Sequence, residues 1–376
     1  MKLTKFFAMA AVAAMTLSMA ACSKDDPVVD PDPIVDPVVD PDPVPAPVVE
    51  SAWDKKMNAV TAEVKAKKSK TSALLLVSFG STWEEPQKTF QKVVNEYKKA
   101  FPDRDVYFSF TSEIIMNRVA ANDELTSKGF GPYYSPLFYM LALGNAGYTQ
   151  IDVQSLHVIP GEEFLRVQSV VKDFHNTDQD GDGKREFEGV KVSIGTPLLY
   201  SIEDVTNVAK ILHDKVGKQY VEDNCVVAFM GHGNPEDYNQ MDGNQRYLDM
   251  ETELQKLDPH YFVATVDMEG NFIDEMIERM EVNGYTPDKV KKVKLHPLMS
   301  IAGDHINNDM AAGPEAEPEE EDGFWRYELT KAGYNCSLED CIMLGLGEYP
   351  DLVNIWIEHT KAAQEDLFYD GEVEDE

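Results

Sequence analysis

Apolar and polar positions follow two rhythms along residues 51–376. Residues 73–79 (ALLLVSF) form a continuous apolar run, the pattern of a strand buried on both faces. Before it, Trp53, Met57, Val60 and Val64 recur at helical spacing and predict an amphipathic helix over 52–68. After it, Phe90, Val93, Val94 and Tyr97 share one face of a helix over 85–100. Strands are then expected over 105–110, 151–156 and 190–194, with helices over 135–147 and 202–216. A second series repeats the scheme, with strands over 225–230, 262–266 and 290–295 and helices over 243–256 and 271–282. A helix begins near His305, and the last spans 349–368. This alternation predicts an α/β fold of two similar doubly wound lobes, with parallel sheets and helices on both faces. Each series opens with a strand that runs into glycine, at Gly80 and Gly231. Ligands of such lobes bind beyond the carboxyl ends of the strands, so the cleft between the lobes is the expected site. The expected boundaries are an N-terminal lobe over 51–218, a C-terminal lobe over 219–347, and a helix with an acidic tail over 348–376.

The first 50 residues have a different character. Lys2 and Lys5 precede a short apolar run over 6–17, then small residues, then Cys22. This is the layout of a secretory signal peptide over 1–21, too short to span a bilayer. A cysteine directly after Ala20-Ala21 resembles the bacterial lipobox, which implies lipidation at Cys22. Residues 22–50 repeat Asp-Pro and Val-Val. Proline fixes φ and removes backbone donors, so the tract reads as an extended spacer. The expectation is an exported protein, at the periplasmic face, outer membrane or cell surface, that meets a membrane only through its lipid.

Charge narrows the partners. The chain has 34 Lys and Arg against 67 Asp and Glu, a formal charge of −33. Such a body repels nucleic acid and anionic membrane surfaces, and neither is expected as a ligand. The sequence leaves a homo-oligomer open. Cys225 lies in an apolar run and reads as a buried strand thiol, whereas Cys336 and Cys341 are close enough in sequence to pair in an oxidising compartment.

Histidines carry the candidate chemistry. His175, His213, His260 and His359 read as surface residues without partners, and His296, beside Pro297 at a strand end, is ambiguous. His157, His232 and His305 each follow a predicted strand and should project into the cleft. Neutral imidazole is a natural ligand for divalent first-row metals. Gly231 and Gly233, on either side of His232, would let a bulky planar ligand approach the backbone.

Several motifs then occur in a fixed order: Leu-Val-Ser-Phe-Gly-Ser (76–81), Phe-Pro-Asp-Arg-Asp (101–105), Phe-Thr-Ser (110–112), and Gln-Ser-Leu-His through Gly-Glu-Glu-Phe (154–164). Gly-Thr-Pro-Leu-Leu (195–199), Met-Gly-His-Gly (230–233), His-Pro-Leu-Met-Ser-Ile-Ala-Gly-Asp-His-Ile-Asn-Asn-Asp-Met (296–310) and Gly-Leu-Gly-Glu-Tyr-Pro (345–350) follow. In this order they resemble the anaerobic cobalt chelatases (sirohydrochlorin cobaltochelatases) of the class II chelatase superfamily, over residues 72 to about 368. The resemblance implies two α/β lobes around a tetrapyrrole and a divalent metal substrate, Co²⁺ first, with Fe²⁺ or Ni²⁺ as alternatives. It places the metal on His232, His305 and a carboxylate. For the carboxylate, Asp267 keeps the place after Val266, while Glu269 keeps the residue type and the following Gly270; Glu269 is preferred, with Asp267 the alternative. His157 and Glu163 match a further His and Glu of the family that line the cleft. Two imidazoles and a carboxylate bind such an ion with positions left open, and a neighbouring base can take the pyrrole protons. No nucleotide is expected, since no G-x-x-x-x-G-K-[ST] loop is present.

A second metal candidate falls outside these motifs. Asp178, Asp180, Asp182 and Gly183 match positions one, three, five and six of an EF-hand-like loop, which suggests Ca²⁺ with Glu188 nearby. Position twelve is Gly189 where such loops carry Glu.

Overall fold

The computed structural model describes residues 50–178, 181, 183–312 and 324–371. The signal, Cys22 and the spacer lie outside them, as do Asp180 and Asp182. Two parallel sheets organise the described residues. The first contains β1 (Ser72–Ser78), β2 (Arg104–Phe110), β3 (Gln150–Ser155) and β4 (Lys191–Gly195) in the order β2-β1-β3-β4. The second contains β5 (Val226–Gly231), β6 (Tyr261–Thr265) and β7 (Val293–Pro297) in the order β6-β5-β7. Every pairing within the sheets is parallel, and each lobe's opening strand is central, flanked by its second and third. The two lobes therefore share a three-strand core topology, to which the first adds β4.

Alternation along the strands divides the apolar side chains among separate cores. Ala73, Leu75 and Val77 pack on one face of the first sheet with helix Pro136–Asn145. Val226, Ala228 and Met230 pack on one face of the second. Leu74 and Leu76 point the other way, as do Val227 and Phe229, and these meet in a common core with Leu254 and Trp356. Burying a large apolar side chain contributes about 1.5–3 kcal/mol, so this shared core fixes the lobes against each other.

The terminal helix, Pro350–Glu365, belongs to the first lobe and is not a separate segment. Thr360 donates to Gln154 at 2.7 Å and Gln364 to the buried Asp152 at 2.8 Å, both on β3. Trp356 Nε1 donates to the carbonyl of His157 at 3.3 Å, so the last helix also braces a site residue. Its register follows from Leu352, Val353, Trp356 and Ile357, which bury one face.

The rhythm reading misses the helices Glu113–Ala120, Glu162–His175 and Trp325–Lys331. Phe164, Val167, Val171 and Phe174 show the helical period, but the second helix starts at Gly161 with no side-chain cap to announce it. Beyond His305 the chain forms a π-helix, Ile306–Met310.

Four histidines read as partnerless surface residues have partners. His213 pairs with Tyr261 Oη, His260 with Asp258, and His359 with Asp204. His175 stacks on Tyr369 at 3.6 Å and accepts from Arg185. Cys225, Cys336 and Cys341 are buried free thiols in this structure.

His296 is buried at the end of β7. Its Nδ1 must donate to the Pro297 carbonyl (2.7 Å), so Nε2 accepts from Tyr349 Oη (2.8 Å). Burial pushes its pKa down to about 4, against a smaller opposing effect of the Pro297 carbonyl. Because the folded pKa lies below the unfolded one near 6.5, stability is present above about pH 6.5 and lost as pH falls toward 4. We expect a loss of about 3 kcal/mol across that window. Thermal unfolding between pH 7 and 4 should show a steeper decline for wild type than for His296→Gln; equal slopes would exclude this origin.

Candidate active site

The carboxyl ends of β1, β3, β5, β6 and β7 converge on one cavity of about 400 Å³. Its walls include the turn after β1 (Phe79 to Trp83), His157 after β3, His232 after β5, Asp267 after β6, and the run from Leu298 to His305 after β7. Parallel strands deliver these residues together because all their ends point the same way.

His232 sits between two glycines with distinct reasons. A Cβ on Gly231 would stand 2.3 Å from the Tyr247 ring. Gly233 has φ +80°, and a Cβ there would stand 2.8 Å from the Met268 nitrogen. The chain thus turns sharply beside β6. Val266 and Asp267 N–H groups both donate to the His232 carbonyl, at 3.0 and 2.8 Å. This wrap carries Asp267 Oδ2 to 3.4 Å from His232 Nδ1.

The same turn removes Glu269. Asn271 N–H closes on the Met268 carbonyl at 3.1 Å, with Gly270 at φ +75° inside the turn. Glu269 is at the exposed tip and does not line the cavity. The preference for Glu269 is therefore corrected: Asp267 is the carboxylate beside the histidines.

The rings of His232 and His305 lie 4.8 Å apart, edge to face. His232 Nδ1 donates to the Gly233 carbonyl at 2.8 Å, and His305 Nδ1 bonds Asp309 Oδ2 at 2.5 Å. Both partners are acceptors, which places the Nδ1 protons and leaves each Nε2 lone pair available. Carboxylate–histidine pairing of this kind orients a ligand and raises its basicity. The Asp309 hydrogen bond raises the pKa of His305, against burial, with Asp267 and Asp304 adding to the rise. Sequence reasoning passed over Asp309, although its i,i+4 spacing from His305 was the available signal.

His157 stands on another wall. Its Nδ1 bonds Ser155 Oγ at 2.8 Å, and its buried Nε2 has no hydrogen-bond partner. Burial lowers its pKa and the Glu163 charge partly offsets this, Glu163 Oε2 being 3.8 Å from Nε2. Glu163 in turn accepts from Thr111 Oγ1 at 2.6 Å. The cavity therefore has a wall of two open imidazoles with a carboxylate, and another carrying a neutral imidazole beside a carboxylate. The first set carries the donor types a divalent cation takes, although no three His, Cys, Asp or Glu side chains among the described residues are gathered closely enough to hold one as they stand; the second can accept a proton.

Comparison with known proteins decides the family. The model of the cobalt chelatase family (CbiK) matches residues 72–365. The chain belongs to the cobalt chelatase family. As a member it is an enzyme, a metal chelatase. It is similar to sirohydrochlorin cobaltochelatase CbiKC of Nitratidesulfovibrio vulgaris, 29% identical over 293 residues, covering 77% of this chain and 89% of the relative. The sirohydrochlorin cobaltochelatase of Salmonella typhimurium is 26% identical over 295 residues, covering 77% of this chain and 96% of the relative. Among solved structures, SirB from Bacillus subtilis with Fe³⁺ aligns with a TM-score of 0.48 and 16% identity, covering 81% of this chain and all of SirB.

The calcium candidate gains no such support. Asp178 accepts from the Gly181 and Gly183 N–H groups at 2.7 and 2.9 Å, and Glu188 pairs with Arg185 at 2.6 Å. Asp180 and Asp182 are outside the described residues, and those described gather no calcium ligand set.

Asp267→Asn should weaken Co²⁺ binding about 10-fold or more, and Asp309→Asn about 10- to 100-fold through His305. Glu269→Gln should change it by less than about twofold, since its side chain is at the exposed turn tip. Calorimetric titration measures all three; a larger effect at Glu269 than at Asp267 would reverse the assignment.

Proposed function

We propose that this chain inserts a divalent metal ion, Co²⁺ first, into sirohydrochlorin or a closely related tetrapyrrole. The observation that carries the reading is the pair of open Nε2 atoms on His232 and His305 in a cavity that Asp267 also lines. His232, His305 and Asp267 bind the incoming ion and replace part of its water shell. Three protein ligands leave coordination positions free for pyrrole nitrogens to enter. His157, kept neutral by burial, takes a pyrrole proton at Nε2, and Glu163 stabilises the imidazolium that results. Similarity to two sirohydrochlorin cobaltochelatases supports the substrate and the metal.

The N-terminal sequence favours a second reading, in which an exported form captures haem or a corrinoid, or strips its metal. On either reading Cys22 carries lipid and the spacer holds the enzyme off the membrane. Among the described residues no helix is long and apolar enough to cross a membrane. Cys22→Ala should move the protein from the membrane fraction to the soluble fraction, and unchanged fractionation would refute the anchor.

Purified protein with sirohydrochlorin and Co²⁺ should develop the absorption spectrum of the metallated product. His232→Ala should slow this about 100-fold or more. A wild-type rate in that variant would remove the proposed site, and tight haem binding with no turnover of sirohydrochlorin would favour capture.

A further inference from the structure

Trp83 ties two walls of the cavity together. It ends the turn after β1, and its Nε1 donates to Asp304 Oδ1, in the second lobe, at 3.1 Å. The turn itself is held in place. The Trp83 N–H donates to Ser81 Oγ at 3.1 Å, and the buried Gln87 side chain donates to the Ser81 carbonyl. On the facing wall, Ile301 packs against the first lobe's cluster around Phe90 and Phe110. A Cβ on Gly303 would stand 3.5 Å from Ser81 Oγ, so the two walls touch beside the hydrogen bond. Asp304 Oδ1 also accepts from Asn308 Nδ2 at 3.0 Å. Asn308 lies in the π-helix that follows His305 and also carries Asp309, the acceptor on His305 Nδ1. Two hydrogen bonds in series therefore link the Trp83 ring to the segment that presents His305.

The first of these bonds is open to water. Trp83 is 39% exposed and Asp304 is exposed as well, so solvent competes for the donor and for the carboxylate. The Trp83 ring also lines the cavity and offers a face on which a planar ligand can stack. A ligand lying there excludes water, and a hydrogen bond strengthens as the local dielectric falls. We infer that Trp83 is a positioning residue that couples the two substrates: a macrocycle resting on its ring tightens the bond to Asp304 and so holds His305 in place for the metal ion. The role rests on the tetrapyrrole reading above and adds to it a cooperativity between macrocycle and metal, each favouring the other. Among the described residues no three candidate ligands are gathered closely enough to hold an ion, and tightening at His305 acts on that deficit.

Trp83→Phe tests the coupling, because it keeps an aromatic face and removes the N–H. In the full chain with sirohydrochlorin and Co²⁺, the variant should raise the KM for Co²⁺ about fivefold and change the KM for sirohydrochlorin by less than about twofold. Calorimetric titration of Co²⁺ without a macrocycle should show a smaller loss, about twofold, because water already weakens the bond in that state. Trp53→Phe, whose ring stacks on Phe138 at 4.3 Å away from the cavity, should match wild type in both measurements. Equal losses with and without the macrocycle would reduce Trp83 to a structural role. An unchanged KM for Co²⁺ would remove it from the positioning of His305. Either result would overturn the inference and leave the tetrapyrrole reading standing. No turnover of sirohydrochlorin by the wild type would overturn both.

Discussion

Side chains from two parallel sheets can form one site only if their strand ends stand at a fixed separation. Here the apolar core between the sheets sets it, with Leu74 and Leu76 on one side, Val227 and Phe229 on the other, and Trp356 between. The terminal helix that supplies Trp356 is tied to β3 through Thr360 and Gln364. That helix therefore does two things at once: it fills the shared core and, through Trp356 Nε1, holds the carbonyl of His157. A change in this core would move the metal-facing wall relative to the proton-accepting wall without touching a site residue.

Local chemistry refines what the core positions. The imidazoles of His232 and His305 are each oriented by an acceptor on Nδ1, a backbone carbonyl for His232 and Asp309 for His305. A donor in either place would turn the available lone pair away from the cavity. The backbone wrap of Val266 and Asp267 around the His232 carbonyl holds the Asp267 carboxylate next to the His232 ring through main-chain bonds. Burial lowers the pKa of His157, whereas the Asp309 hydrogen bond makes His305 more basic and orients its Nε2. Two histidines of one cavity thereby suit different tasks.

Much of this was legible in the residues. Continuous apolar runs located the strands, strand-end glycines located the turns, and His157, His232 and His305 all reached the cavity. The carboxylate was misjudged because residue type was weighed above backbone path; only the turn closed by Asn271 shows that Glu269 faces solvent. The helix Glu162–His175 was missed for lack of a capping signal, although its apolar period was present. The return of the last helix to the first lobe was not legible, since its polar contacts, Thr360 to Gln154 and Gln364 to Asp152, join residues more than 200 positions apart. Sequence periodicity reports which face a helix buries but not which lobe receives it.

X-ray absorption of the Co²⁺-loaded full chain tests the central claim most directly. Two imidazole nitrogens and carboxylate oxygen should coordinate the ion, with loss of one imidazole contribution in each of His232→Ala and His305→Ala. A shell of oxygen alone, or one unchanged by both substitutions, would contradict it.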